Sequence, residues 1–202
     1  MTIIEKLIFI ADSEWEFFGK SEIGLDGTSR VGLREYEDGA WQRVADYWKF
    51  IGGGYQNLTG RDRGTPWSAA FISWCMGQAG SQTQFPYSAG HAKYINQSIK
   101  NAKFGNTSAS IVAHPLKGYK LKLGDLIGYW RGDKKIDFDN ANTIGWYQSH
   151  TEIVVGIDKD FAYTVGGNVM HSVTKRAVKI GINGDLIDKK ENWFVAIQNN
   201  MQ

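Results

Sequence analysis

The stretch Thr65-Pro66-Trp67-Ser68-Ala69-Ala70-Phe71-Ile72-Ser73-Trp74-Cys75-Met76-Gly77-Gln78-Ala79-Gly80 reads as one helix with both ends marked. Thr65 can cap the first turn, and Pro66 suits the first helical position because no N–H is needed there. Gly80 supplies a C-terminal stop. Between them Phe71, Ile72, Cys75, Met76 and Ala79 recur at helical spacing, the pattern of a buried helix. The rest of the chain must be organised around it. Ser68 falls in the first turn, where free backbone N–H groups and the positive end of the helix dipole favour developing negative charge. A nucleophile there would be assisted. A Ser at a helix start is more often a cap or a small packing residue, so both readings stand at this point.

Before and after this helix the patterning changes character. Residues 2–18 place Ile3, Ile4, Leu7, Ile8, Ala11, Trp15 and Phe18 on one helical face. Residues 19–38 read as a polar loop. A second helix is expected from Ala40 to Phe50, stopped by Gly52-Gly53-Gly54, and a third from His91 to about Ala102. Residues 103–120 read as loop, with a turn at His114-Pro115. From Leu121 the signal is β: Leu123 to Trp130, Ser149 to Ile157, Phe161 to Asn168, Ser172 to Ile180 and Trp193 to Gln198. Asp158-Lys159-Asp160 between two of these runs marks a hairpin. Helices first and an antiparallel sheet afterwards give an α+β arrangement. No repeat or linker divides residues 1–202, so a single domain is expected.

Composition excludes several classes. A net charge of +2 and the lack of a long basic run argue against nucleic acid as a partner. No stretch approaches the roughly 20 apolar residues of a membrane-spanning helix. The first residues do not form a secretory signal, because Glu5 and Lys6 interrupt the apolar run. One Cys allows neither an internal disulfide nor a multi-Cys metal site. Asp137-Phe138-Asp139-Asn140 offers only fragments of a calcium loop, so neither metal nor cofactor is expected. The 8 Trp, 9 Tyr and 10 Phe suit a core and equally a cleft for sugar or peptide.

Residues 66–75 resemble the nucleophile helix of the CHAP (cysteine, histidine-dependent amidohydrolase/peptidase) and NlpC-type enzymes, which are papain-like peptidoglycan hydrolases. Gly124-Asp125-Leu126 resembles the strand that opens their barrel-like sheet. Ser149-His150-Thr151-Glu152-Ile153-Val154-Val155-Gly156 is similar to their catalytic His strand, and Gly166-Gly167-Asn168 to the strand carrying an orienting polar residue. These motifs span most of the chain, in the order of a less characterised branch in which Ser takes the nucleophile position. The resemblance implies a papain-like fold, with N-terminal helices packed on a C-terminal antiparallel, barrel-like sheet. It also implies cleavage of amide or peptide bonds in bacterial peptidoglycan.

A Ser hydroxyl needs a general base within hydrogen-bond reach. The resemblance assigns that role to His150, with Ser68 as nucleophile. Two residues compete to orient the imidazole. Asn168 matches the family position, whereas Glu152 lies two residues beyond His150 and so on the same strand face. Trp67 would flank the cleft, and His91 would face it as a substrate-binding residue. Cys75 lies about two turns beyond Ser68, roughly 10 Å along the axis, and reads as core. Ser68 can be the native nucleophile, an engineered replacement of Cys, or the remnant in a catalytically inactive wall- or glycan-binding homologue. An esterase or acyltransferase would use the same pair. A chain made in the cytoplasm without a signal would reach the wall or periplasm by specialised export or phage delivery, with an immunity or delivery protein as partner.

Overall fold

Thr2 and Glu5 cap the first helix reciprocally: each backbone N–H donates to the other's side chain, at 2.8 and 3.1 Å. That helix, α1 (Ile3–Phe17), opens the computed structural model, which describes residues 1–202. Three somewhat shorter helices follow: α2 (Ala40–Ile51), α3 (Ser68–Gln78) and α4 (Ala92–Lys103). The short α5 (Ala141–Ile144) precedes the main hairpin. The strands are β1 (Ser21–Ile23), β2 (Ser29–Arg30), β3 (Ile111–His114), β4 (Leu126–Trp130), β5 (Ser149–Ile157), β6 (Phe161–Val169), β7 (Ser172–Lys179) and β8 (Trp193–Asn199). The arrangement is α+β, as the change in patterning implies. No helix is long and apolar enough to cross a membrane.

All eight strands join one sheet in the order β2-β1-β7-β6-β5-β4-β8-β3. The sheet differs from the expected antiparallel barrel in two respects. It is mixed, because β1 runs parallel to β7. It is also open, because β2 and β3 lie at opposite ends of the order and do not pair. Both edge extensions come from segments that read as loop, residues 19–38 and 103–120. Strands of two to four residues are too short to carry a periodic signal.

Helix α3 lies at the centre, packed against α1 and α2 and against β5 and β6. Eight of its 11 residues are buried, so it is apolar nearly all round, as an enclosed helix must be. Its start differs from the expected one. Trp67 occupies the cap position with no side-chain cap, and Thr65 is drawn into a preceding turn by its N–H bond to the Asp62 carbonyl. Ser68 is therefore the first helical residue.

The helix can meet the sheet closely because β6 carries a glycine, Gly167, at the contact. A Cβ on Gly167 would lie 2.6 Å from Phe71 Cβ and 2.8 Å from Trp67 Cζ3. We expect Gly167→Ala to cost about 1–3 kcal/mol through overpacking, read as a lower denaturant midpoint at unchanged slope. A variant as stable as the parent would show that α3 does not depend on this approach.

Candidate active site

The start of α3 opens on a cleft of about 760 Å³, with Ser68 and His91 in its wall. Ser68 is only 6% exposed, and its hydroxyl lies 2.7 Å from His91 Nε2. His91 stands at the cap position of α4. Its Nδ1 faces Thr151 Oγ1 at 3.0 Å and the Tyr94 hydroxyl, and these two oxygens lie 3.0 Å apart. Both can accept from an Nδ1–H. That tautomer, assigned from the hydrogen-bond network, leaves Nε2 as the acceptor of the Ser68 proton. Burial pushes the His91 imidazole well below its ordinary basicity, and the neighbouring His150 and Arg131 act in the same direction. The ring is neutral at neutral pH.

His150 sits on β5 opposite Tyr129 of β4. Its ring centroid is 5.1 Å from that of His91. It is fully buried, and neither ring nitrogen has a hydrogen-bond partner. The nearest charge is Glu152 Oε1, 3.6 Å from Nε2 and beyond hydrogen-bond length. Burial lowers the basicity of His150, while Glu152 opposes that shift in part. The period-2 expectation for Glu152 holds: it shares the face of His150.

Glu152 is itself fully buried. Arg176 of β7 donates from Nε to both carboxylate oxygens at 2.9 Å and from a second guanidinium nitrogen, and Thr164 donates at 2.6 Å. Burial alone would raise the carboxyl pKa, but the Arg176 charge and these bonds outweigh it and hold the group below its ordinary range. Gly166 makes room for this layer, since a Cβ there would lie 2.8 Å from Glu152 Cγ and 3.0 Å from His150 Nε2.

Two expected site residues act elsewhere. Trp67 does not wall the cleft. It is 2% exposed, stacks on Phe18 at 5.9 Å, and donates its indole N–H to Glu35 at 2.6 Å. Its bulk is apolar, and the buried space beneath α3 takes it up. Asn168 does not reach His150. With its amide oriented to satisfy both ends, its nitrogen donates to Glu35 at 3.0 Å and its oxygen accepts from the Trp67 N–H at 3.2 Å. It therefore holds the entry to α3. A register shift between Gly166 and Val169 and a left-handed φ of 58° at Asn168 turn the side chain that way. Cys75 is core as expected, free and buried, and burial pushes its thiol well up.

Four contributors have little or no motif of their own. Arg176 was readable in part: with Thr174 and Val178 it forms one phase of β7, and that phase is buried. Thr151 and Tyr94 flank motif residues but carry no independent signal. Glu35 comes from a loop, and only the fold brings it to α3. No group of three His, Cys, Asp or Glu side chains is placed to hold a metal ion.

A family model described as "Uncharacterized protein conserved in bacteria (DUF2272)" matches residues 35–199, a span that includes Ser68, His91, His150, Glu152 and Arg176. No curated protein and no solved structure matches the chain. The chain belongs to the DUF2272 family.

The buried pair makes a direct prediction. Arg176→Leu leaves the Glu152 carboxylate unpaired and should cost about 3–5 kcal/mol, whereas adding Glu152→Gln should recover most of the loss in chemical denaturation. The carboxyl is depressed in the folded state, so its stabilisation is present above the ordinary value of 4.5 and fades as pH falls below it. The Glu152→Gln/Arg176→Leu double variant should lack that component of acid destabilisation. Identical acid profiles for parent and double variant would sink this account.

Proposed function

We propose that this DUF2272 member is a papain-like hydrolase of amide or peptide bonds in bacterial peptidoglycan, acting through an acyl-enzyme on Ser68. The observation that carries the chemistry is the 2.7 Å contact between Ser68 Oγ and His91 Nε2 at the start of a buried helix. Ser68 attacks the substrate carbonyl as His91 Nε2 takes its proton. The first-turn N–H groups of α3 are aligned to stabilise the oxyanion. The tetrahedral species collapses as His91 returns the proton to the leaving amine. Water, activated by the same nitrogen, then releases the acid and regenerates Ser68.

His91 takes the place that the family resemblance gives to His150, because His91 is the imidazole in contact with the hydroxyl. His150 and Glu152 act from behind it. The carboxylate favours the positive charge that His91 acquires during each proton transfer, and Thr151 and Tyr94 hold the His91 ring. Peptidoglycan as substrate rests on the resemblance of residues 66–75 and 149–156 to the CHAP and NlpC-type motifs. Action at the wall or periplasm after specialised export or phage delivery, with an immunity or delivery protein as partner, belongs to the same reading.

The test is digestion of purified peptidoglycan with products read by mass spectrometry. Cleavage by the parent and loss of about 10³-fold or more in Ser68→Ala and His91→Ala are the expected results. Cleavage restored only by Ser68→Cys would identify a disabled cysteine enzyme. Retained wall binding without cleavage by any variant would identify a binding module.

The pH profile supplies a second check. A base that must be neutral, and whose basicity is lowered by burial, keeps activity below the ordinary His value of 6.5. We expect the acid limb of kcat/KM to lie below pH 6.5. A limb at or above that value would remove His91 from the role.

A further inference from the structure

The cleft is acid-free. None of its 17 lining residues is Asp or Glu, and two, Lys93 and Arg131, are cations. Arg30, Arg43, Arg61 and Arg176 pair with carboxylates; Arg34, Arg63 and Arg131 do not, and of these only Arg131 lines the cleft, where Lys93 is likewise in no ion pair. The two differ in how they are held. Lys93 Nζ is spent in part on the Tyr87 carbonyl at 3.0 Å. Arg131 is held differently: its backbone N–H donates to the Gln148 carbonyl at 2.9 Å, and one guanidinium nitrogen donates to the Tyr129 hydroxyl at 2.7 Å. The rest of its fork is exposed and has no partner.

Tyr129 clarifies the arrangement. Its oxygen also accepts from Arg176 at 3.2 Å, so it lies between two guanidinium groups. Arg176 is already matched by Glu152 and Glu191. Arg131 is matched by nothing. A positioned guanidinium without a counter-ion, facing a cleft, is a preorganised site for an anion.

We propose that Arg131 anchors a free carboxylate on the acyl substrate, so that the cleft selects substrates bearing that carboxylate near the bond presented to Ser68. That the bound molecule is a substrate rests on the acyl-transfer reading of Ser68; that it carries a carboxylate rests on Arg131 alone. One free planar fork fits a singly charged carboxylate bidentately. Trp146, 73% exposed at the cleft, adds an apolar platform for the rest of the ligand.

The placement has a consequence for the base. Arg131 is near enough for its charge to disfavour protonation of both His91 and His150. A carboxylate bound on Arg131 cancels much of that charge. His91 then becomes more basic when the substrate arrives, so the group that recognises the substrate also readies the base.

The experiment uses full-length Ser68→Ala protein, so that binding is read without turnover. N-acetyl-alanyl-alanine, its C-terminal carboxamide and inorganic phosphate are titrated by calorimetry, and the His91 imidazole is followed by NMR. The carboxylate form should bind about tenfold tighter than the carboxamide and should move the His91 titration midpoint upward. Arg131→Gln should abolish both effects, and Arg131→Lys should keep part of the preference. Equal affinity for the two peptides, a preference that survives Arg131→Gln, or phosphate binding tighter than the carboxylate peptide would each overturn the proposal. A carboxylate preference of this kind in a protein whose parent cleaves no acyl substrate would leave the anchor standing and sink the hydrolase reading.

Discussion

The close packing around two successive glycines of β6, with α3 against Gly167 and the His150–Glu152 face of β5 against Gly166, is the contact on which the site depends. Gly167 lets Trp67 and Phe71 lie directly against the strand, and Gly166 leaves room for Glu152 and His150 on the same sheet. A glycine in a strand gives up side-chain packing and costs conformational entropy. Here it gains a helix seated without an intervening side chain. A Cβ at Gly166 would push on Glu152 and His150, and one at Gly167 on Trp67 and Phe71 at the start of α3.

Two buried acids hold the two sides of this contact, and they do so by different means. Glu152 is neutralised by Arg176, so a charge that would be costly in isolation lies beneath the His pair at tolerable cost. Glu35 meets no Arg or Lys. It accepts from the Trp67 indole, the Asn168 amide and His171, whose ring nitrogen lies 2.9 Å away. Its partners tie the entry of α3 to the β6–β7 turn, where Asn168, Met170 and His171 all have left-handed φ. Non-glycine residues hold such φ values only where surrounding contacts compensate. The Glu35 carboxylate provides two of those contacts. One acid therefore fixes where the helix begins, and the other fixes the electrostatic surroundings of the residues it meets.

What could be read from the sequence followed the range of each signal. The α3 helix, the β5–β6 hairpin and the Glu152 alternation are local patterns, and the structure contains them. The Ser68–His91 contact is not local. His91 marks the start of a helix, and nothing within α4 says which wall that end will face. The loop between α3 and α4, tied by Ser73 bonding the Ser88 backbone at 3.0 Å in both directions, brings it round. The short strands β1, β2 and β3 gain their identity only by adding to edges that longer strands provide. Asn168 shows the opposite failure: its place at the end of a Gly-Gly-Asn run suggests a residue aimed at His150, but a one-residue change of register directs the side chain to Glu35.

The electrostatics also bear on why a hydroxyl can stand at this helix start. A cysteine site of this kind works as a thiolate beside a charged imidazole, so it needs surroundings that favour the ion pair in the resting state. Burial and Arg131 both disfavour a charged His91 here. Serine asks for the reverse: a neutral imidazole at rest, hydrogen-bonded to the hydroxyl, and compensation for positive charge only while the proton is in transit. The 2.7 Å contact meets the first need, and Glu152, whose charge favours protonation of His91, meets the second. Under the acyl-transfer reading, an imidazole disfavoured from carrying charge at rest and a carboxylate near enough to favour its protonation suit the serine that the site carries.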